Sequence, residues 1–125
     1  MKLGNRMMSI KQINISNKKV CRMIEDVDKG IRRVFKKKLK KIIIFGSYAR
    51  GDYDDESDID FMVLVKDRDL KKFEDIILDL EVDLSIKYGK LPSIFIYNID
   101  DYYNDIDLID LLKNIESEGI EFYAA

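Results

Sequence analysis

Residues 42–65 read Ile42-Ile43-Ile44-Phe45-Gly46-Ser47-Tyr48-Ala49-Arg50-Gly51-Asp52-Tyr53-Asp54-Asp55-Glu56-Ser57-Asp58-Ile59-Asp60-Phe61-Met62-Val63-Leu64-Val65, and this stretch decides the fold. Ile42 to Phe45 is a short β-branched and aromatic run ended by glycine, the pattern of a buried strand. Ser47 to Arg50 fits one helical turn closed by Gly51, and the acidic segment 52–57 fits a loop, because its carboxylates repel one another and it has little to bury. Ile59 to Val65 is apolar on both faces, as expected of a central strand covered on two sides.

Two features inside this stretch carry chemistry. Side chains alternate along a strand, so Asp58 and Asp60 point to the same side and can reach common cations. In two-metal phosphoryl transfer the ions lie roughly 3.5–4 Å apart, a separation that two such carboxylates can serve. Unpaired carboxylates opening a hydrophobic run would be costly without a counter-ion, although an Asp-x-Asp pair taken alone is more often solvated and structural. Gly46 and Ser47 add a strand end followed by a helical turn, which offers free backbone N–H groups and a hydroxyl to a polyphosphate. A lone Gly-Ser would be read as a strand end and a helix cap, but the two signals at this separation reinforce each other.

Outward from this centre, helical spacing of Val20, Ile24, Val27, Ile31, Val34 and Phe35 predicts an amphipathic helix, with Ser16 as its N-cap and Gly30 as its weak point. A second helix is expected after Asp67 to Asp69, with Leu70, Phe73, Ile77, Leu80, Leu84 and Tyr88 as its stripe and Gly89 ending it. Ser93 to Tyr97 predicts a third strand, with Pro92 at its first position. Leu108, Leu111, Leu112 and Ile115 predict a helix over 105–118, capped by Gly119, and Ile120 to Tyr123 a last short strand. Residues 1–15 show little periodicity and are expected to be a frayed start or a short helix. The fold class is therefore α/β (α+β), a small mixed sheet flanked by helices, and the 125 residues are expected to form one domain.

Composition narrows the chemistry. The chain has no histidine, which removes imidazole bases, Ser-His and Cys-His nucleophiles and His-containing zinc sites. Carboxylates, hydroxyls and cations must do the work, and magnesium or manganese is the matching metal. One cysteine, Cys21, cannot form an internal disulfide and reads as a small packed side chain. Apolar runs are far too short to cross a bilayer and no signal-peptide core is evident, so a cytoplasmic location without membrane attachment is expected. The net charge of −2 argues against a nucleic-acid coat. The basic run Arg32, Arg33, Lys36, Lys37, Lys38, Lys40 and Lys41 is read first as a solvated helix end, with docking of RNA phosphates as the lesser alternative.

Gly46-Ser47, ten intervening residues and then Asp58-x-Asp60 resembles the signature of the DNA polymerase β-type nucleotidyltransferase superfamily. Within it, the short length and the wording Gly-Ser-Tyr-Ala-Arg-Gly resemble the minimal nucleotidyltransferase (MNT) branch. The likeness is specific over about residues 42–65 and extends by order of elements over roughly 35–100. It implies a polymerase β-like fold in which Gly46 and Ser47 hold a nucleoside triphosphate and Asp58 and Asp60 hold Mg²⁺ or Mn²⁺, with Arg50 and Ser57 as neighbours of the nucleotide. It further implies a Mg-dependent transfer of a nucleoside monophosphate, AMP from ATP, to a hydroxyl on a helical partner such as a HEPN-type toxin, with the chain as antitoxin. One departure stands out. The superfamily places a third carboxylate on the strand after the long helix, whereas residues 91–97 contain no acid; Ser93 holds the corresponding place, and Asp83 and Asp100 are the nearest stand-ins. The alternative reading is therefore a catalytically degenerate nucleotide- or partner-binding module that acts sterically. Base preference and homo-oligomerisation are left open by the sequence.

Overall fold

The computed structural model describes residues 6–7 and 17–125. Helix α1 spans Lys18–Phe35 and strand β2 Leu39–Phe45, after a two-residue strand β1 at Arg6–Met7. A single turn α2 at Ser47–Arg50 and the acidic loop lead into β3, Ile59–Val65. Then come α3 at Glu74–Tyr88, β4 at Pro92–Asn98, α4 at Ile99–Asp105, α5 at Asp110–Glu118 and β5 at Ile120–Ala124. The sheet order is β1-β5-β2-β3-β4, with β3 and β4 parallel and the other neighbours antiparallel. The expected mixed sheet with flanking helices is what forms.

The two faces of the sheet are covered unequally. On one, Ile42, Ile44, Ile59, Phe61, Val63 and Val65 pack against Val27, Ile31 and Phe35 of α1 and Ile77, Leu84 and Tyr88 of α3. Gly30 turns out to be a packing position: a Cβ there would come within 2.8 Å of the Leu80 methyls, so the glycine lets α1 and α3 approach closely. On the other face, Ile43, Phe45, Met62 and Leu64 pack against Tyr102 of α4 and Leu112 and Ile115 of α5. These short helices cover only part of that face.

Several boundaries differ from the expected ones. The N-cap of α1 is Asn17, whose Oδ1 accepts from the N–H groups of Lys19 and Val20, while Ser16 lies outside the described residues. Of residues 1–15, Arg6–Met7 is a strand that pairs with β5, and the remainder lies outside the described residues. Strand β2 begins at Leu39 and takes in Lys40 and Lys41, whose long side chains can leave the sheet; Lys41 donates to the Tyr103 hydroxyl at 2.8 Å. The helix expected over 105–118 is shorter and preceded by α4. Leu108 lies in the turn between the two and is exposed, because it has no sheet surface to cover. The start of α4 is set by Asn98, which accepts from the Asp101 N–H, with Asp100 and Asp101 in the first turn.

Strand β4 is a sheet edge. Its Ile94 N–H donates to the Glu81 carboxylate of α3 at 2.9 Å, so an acid from the covering helix occupies a group that would otherwise be open to another strand.

Candidate functional site

The Gly-Ser turn and the paired aspartates meet at one end of the sheet. β2 and β3 run antiparallel with Phe45 opposite Asp60, so the residue after Phe45 is carried over the Asp60 side chain. Gly46 has φ 76° and ψ −153°, a combination that is essentially restricted to glycine. A Cβ added there would run into Asp60 Oδ2, so the missing side chain is what lets the carboxylate lie against the backbone of the turn. The carbonyl of Gly46 accepts from the N–H groups of Ala49 and Arg50, which forms α2 and leaves those of Ser47 and Tyr48 without an intrahelical partner.

Asp58 is exposed and stands just ahead of β3, whereas Asp60 is half-buried on the strand. Burial raises the Asp60 pKa above the usual carboxylate value, and the charge of Asp58 adds to the rise, while Arg50 opposes it. Among the described residues these two acids form no ion pair, and Arg50 acts on Asp60 only as the weakest of the three influences. The nearby donor atoms are carboxylate and hydroxyl oxygens, a set that fits a hard divalent cation. Among the described residues, no three acids or cysteines converge as a metal cluster, so an ion bound here would complete its shell with phosphate oxygens and water.

Arg50 lies at the rim of this end, paired with Asp52 at 3.2 Å and with Glu118 of α5 at 3.6 Å. A cavity of about 380 Å³ opens beside it, lined by Phe45, Gly46, Arg50, Asn114, Ile115 and Glu118. Ser57 is turned inward on its own loop: its hydroxyl accepts from the Asp54 N–H at 3.0 Å and donates to Asp54 Oδ1. The structure thus brings Gly46, Ser47, Arg50, Asp58 and Asp60 to one end of the sheet and engages Ser57 in holding the acidic loop. Lys90 has no sequence signal but has a clear place, donating to the carbonyls of Asp55 at 2.8 Å and Ser57 at 2.7 Å and so pinning the loop to the end of α3. Tyr53 stacks on Tyr48, with ring centroids 4.2 Å apart, and fixes the same loop to α2.

Neither proposed stand-in for a third acid reaches the site. In the parallel β3–β4 pair Asp60 lies beside Ser93, whereas Asp100 follows Asn98 at the opposite end of β4, roughly 16 Å farther along the strand. There it pairs with Arg68. Asp83 is exposed on α3, on a helix that packs against the other face. Ser93 is therefore the residue beside Asp60. Phe95, two residues on, is also near this end and partly exposed, its ring 5.8 Å from that of Phe45. An exposed aromatic close to Phe45 was not visible in the sequence, because the strand pattern does not say which strands lie side by side.

Comparison with known proteins fits this geometry. A family model described as a nucleotidyltransferase domain matches residues 27–114. A protein of Methanocaldococcus jannaschii named as a protein adenylyltransferase is 37% identical over 102 residues, covering 82% of this chain and 97% of the relative. A second protein of that name from the same organism is 34% identical, covering 80% and 94%. Among solved structures, a toxin–antitoxin crystallised with AMP-PNP aligns with a TM-score of 0.55 at 21% identity, over 81% of this chain and 73% of the other. A mutant of the MntA–HpeT toxin–antitoxin aligns with the same score at 18% identity and the same coverage. At these identities the solved structures establish a shared fold.

Proposed function

We propose that this chain, which belongs to the nucleotidyltransferase domain family, transfers AMP from ATP to a hydroxyl of a partner protein in the cytoplasm, the hydroxyl oxygen replacing pyrophosphate on the α-phosphorus and giving up its proton. The observation that carries the reading is the meeting of the Gly46-Ser47 turn with Asp60, and Asp58 beside it, at one end of the sheet. The names of its relatives support adenylylation of a protein. The toxin–antitoxin structures that share its fold support a toxin as that partner, and a helical HEPN-type protein is our reading of it.

In this reading the N–H groups of Ser47 and Tyr48 and the Ser47 hydroxyl hold the triphosphate, and Arg50 adds positive charge at the rim. Asp58 and Asp60 would hold Mg²⁺ or Mn²⁺, which when bound neutralises phosphate charge and orients the reacting groups. Lys90 and the Tyr48–Tyr53 stack keep the loop before Asp58 in place, and so fix where the carboxylates point. The absence of an acid at Ser93 is compatible with transfer, because a loose phosphoryl-transfer transition state asks mainly for positioning and charge stabilisation.

The test is to incubate the full chain with ATP, magnesium and its partner and weigh the intact partner by mass spectrometry. The expected result is a mass increased by whole AMP units, lost in Asp58→Asn/Asp60→Asn. Transfer that persists undiminished in that double variant would overturn the assignment.

A further inference from the structure

Helix α3 has a second apolar face that is left exposed among the described residues. Its inner side chains Ile77, Leu84 and Tyr88 are buried in the core. Leu78, Val82 and Ile86, spaced by four residues and so aligned as one stripe, remain 56%, 45% and 78% exposed. A row of large aliphatic side chains in water is unusual on a surface with no partner. Leu91, also exposed, follows α3 and leads into β4.

Both flanks of the stripe are acidic. Asp75, Asp79 and Asp83 run along one side, all exposed, and Glu74 and Glu81 lie on the other. Among the described residues none of these five carboxylates forms an ion pair within the chain, although Glu81 accepts from the Ile94 N–H. A second copy is therefore a poor occupant. A two-fold interface sets the same patch against itself, so in either helix orientation acidic flank would oppose acidic flank.

We infer that the Leu78–Val82–Ile86 stripe is a docking surface for a partner protein that presents an apolar helix face flanked by lysine and arginine. Charge complementarity selects that partner and rejects self-association. The position suits the reaction. Ile86 is on the last turn of α3, and Lys90, just beyond, holds the loop that ends at Asp58. A helix seated on the stripe lies along the outer side of α3, whose C-terminal end leads through Lys90 to the loop before Asp58. The inference names the chemistry of the partner and in that respect rests on the reading that the acceptor is a protein.

The probe is a pair of synthetic amphipathic helical peptides with identical leucine stripes, one flanked by lysines and one by glutamates, titrated into the full chain without nucleotide. The lysine peptide is expected to bind, to shift the methyl NMR signals of Leu78, Val82 and Ile86, and to weaken with salt; the glutamate peptide is expected not to bind. Leu78→Ser/Val82→Ser/Ile86→Ser should weaken binding at least about tenfold, since interface truncations that matter exceed roughly 1 kcal/mol each. Asp75→Lys/Asp79→Lys/Asp83→Lys should move the preference to the glutamate peptide. Circular dichroism melts confirm that both variants fold. Absence of lysine-peptide binding, or binding that the serine variant leaves unchanged, overturns the inference. So does sedimentation showing the chain alone as a dimer that the serine variant dissolves. Because the titration contains no nucleotide, its failure leaves AMP transfer untouched, and failure of transfer leaves the titration result standing.

Discussion

The two ends of β3 carry aspartates in opposite situations. Past its C-terminal end, Asp67 accepts from Lys38 and Lys72, each at 2.8 Å, and from the Asp69 N–H at 3.0 Å. These bonds hold its carboxyl far below the ordinary range, with Lys38 contributing most. At the N-terminal end, burial and Asp58 push Asp60 the other way, and no lysine or arginine forms an ion pair with it among the described residues. A carboxylate whose partners come from its own chain ties elements together; one left short of cations among the described residues, against a glycine turn, fits the metal-holding role proposed for it.

Four experiments would sharpen or break this contrast. The largest effect is expected for Asp60→Asn, which should lower AMP transfer by roughly 10³-fold, the scale of several kcal/mol of lost metal-assisted charge stabilisation. Radiolabelled ATP and the partner protein measure it, and near-normal transfer would remove Asp60 from the site. Gly46→Ala comes next. Its φ is disfavoured for other residues and the new Cβ collides with Asp60, so urea unfolding should show a loss of about 1–3 kcal/mol, together with loss of nucleotide binding.

Asp67→Asn should destabilise the chain at neutral pH. A depressed carboxyl contributes stability above its unfolded pKa of about 4 and loses it as pH falls through the folded value, so variant and parent should converge on acidification below about pH 4. Melts between pH 7 and 2 check this, and a constant offset would show that charge is not the cause. The smallest effect has the reverse sign. A raised carboxyl contributes stability below its unfolded pKa and loses it as pH rises through the folded value, so Asp60→Asn should melt above the parent at pH 7 and match it near pH 3.

The sequence made the strands around 42–65 and the helices before and after them legible, because their core-facing apolar positions recur at regular spacing and Gly46 and Gly89 mark the ends of β2 and α3. It also made Gly46, Ser47, Asp58 and Asp60 legible as neighbours, because one turn and one strand set their positions. Helix α4 was hidden although Asn98 followed by Asp100 and Asp101 is a helix-start pattern. Seven residues offer too little periodicity to register, and Leu108 drew the expected start of the following helix back to residue 105, where α4 ends. The outer stripe of α3 was hidden for a related reason: apolar residues on both sides of a helix blur its amphipathic pattern, and only packing tells which side is covered. Lys90 and Phe95 depend on which strand ends meet, information that exists only once β3 and β4 are paired in register.

Glu81 limits how this chain can meet others. By occupying the Ile94 amide it removes one rung of the backbone ladder along the outermost ribbon, so recruitment by strand addition is weakened there. A companion approaching from that flank relies the more on its side chains, which makes recognition a matter of charge and shape that can be rewritten one substitution at a time.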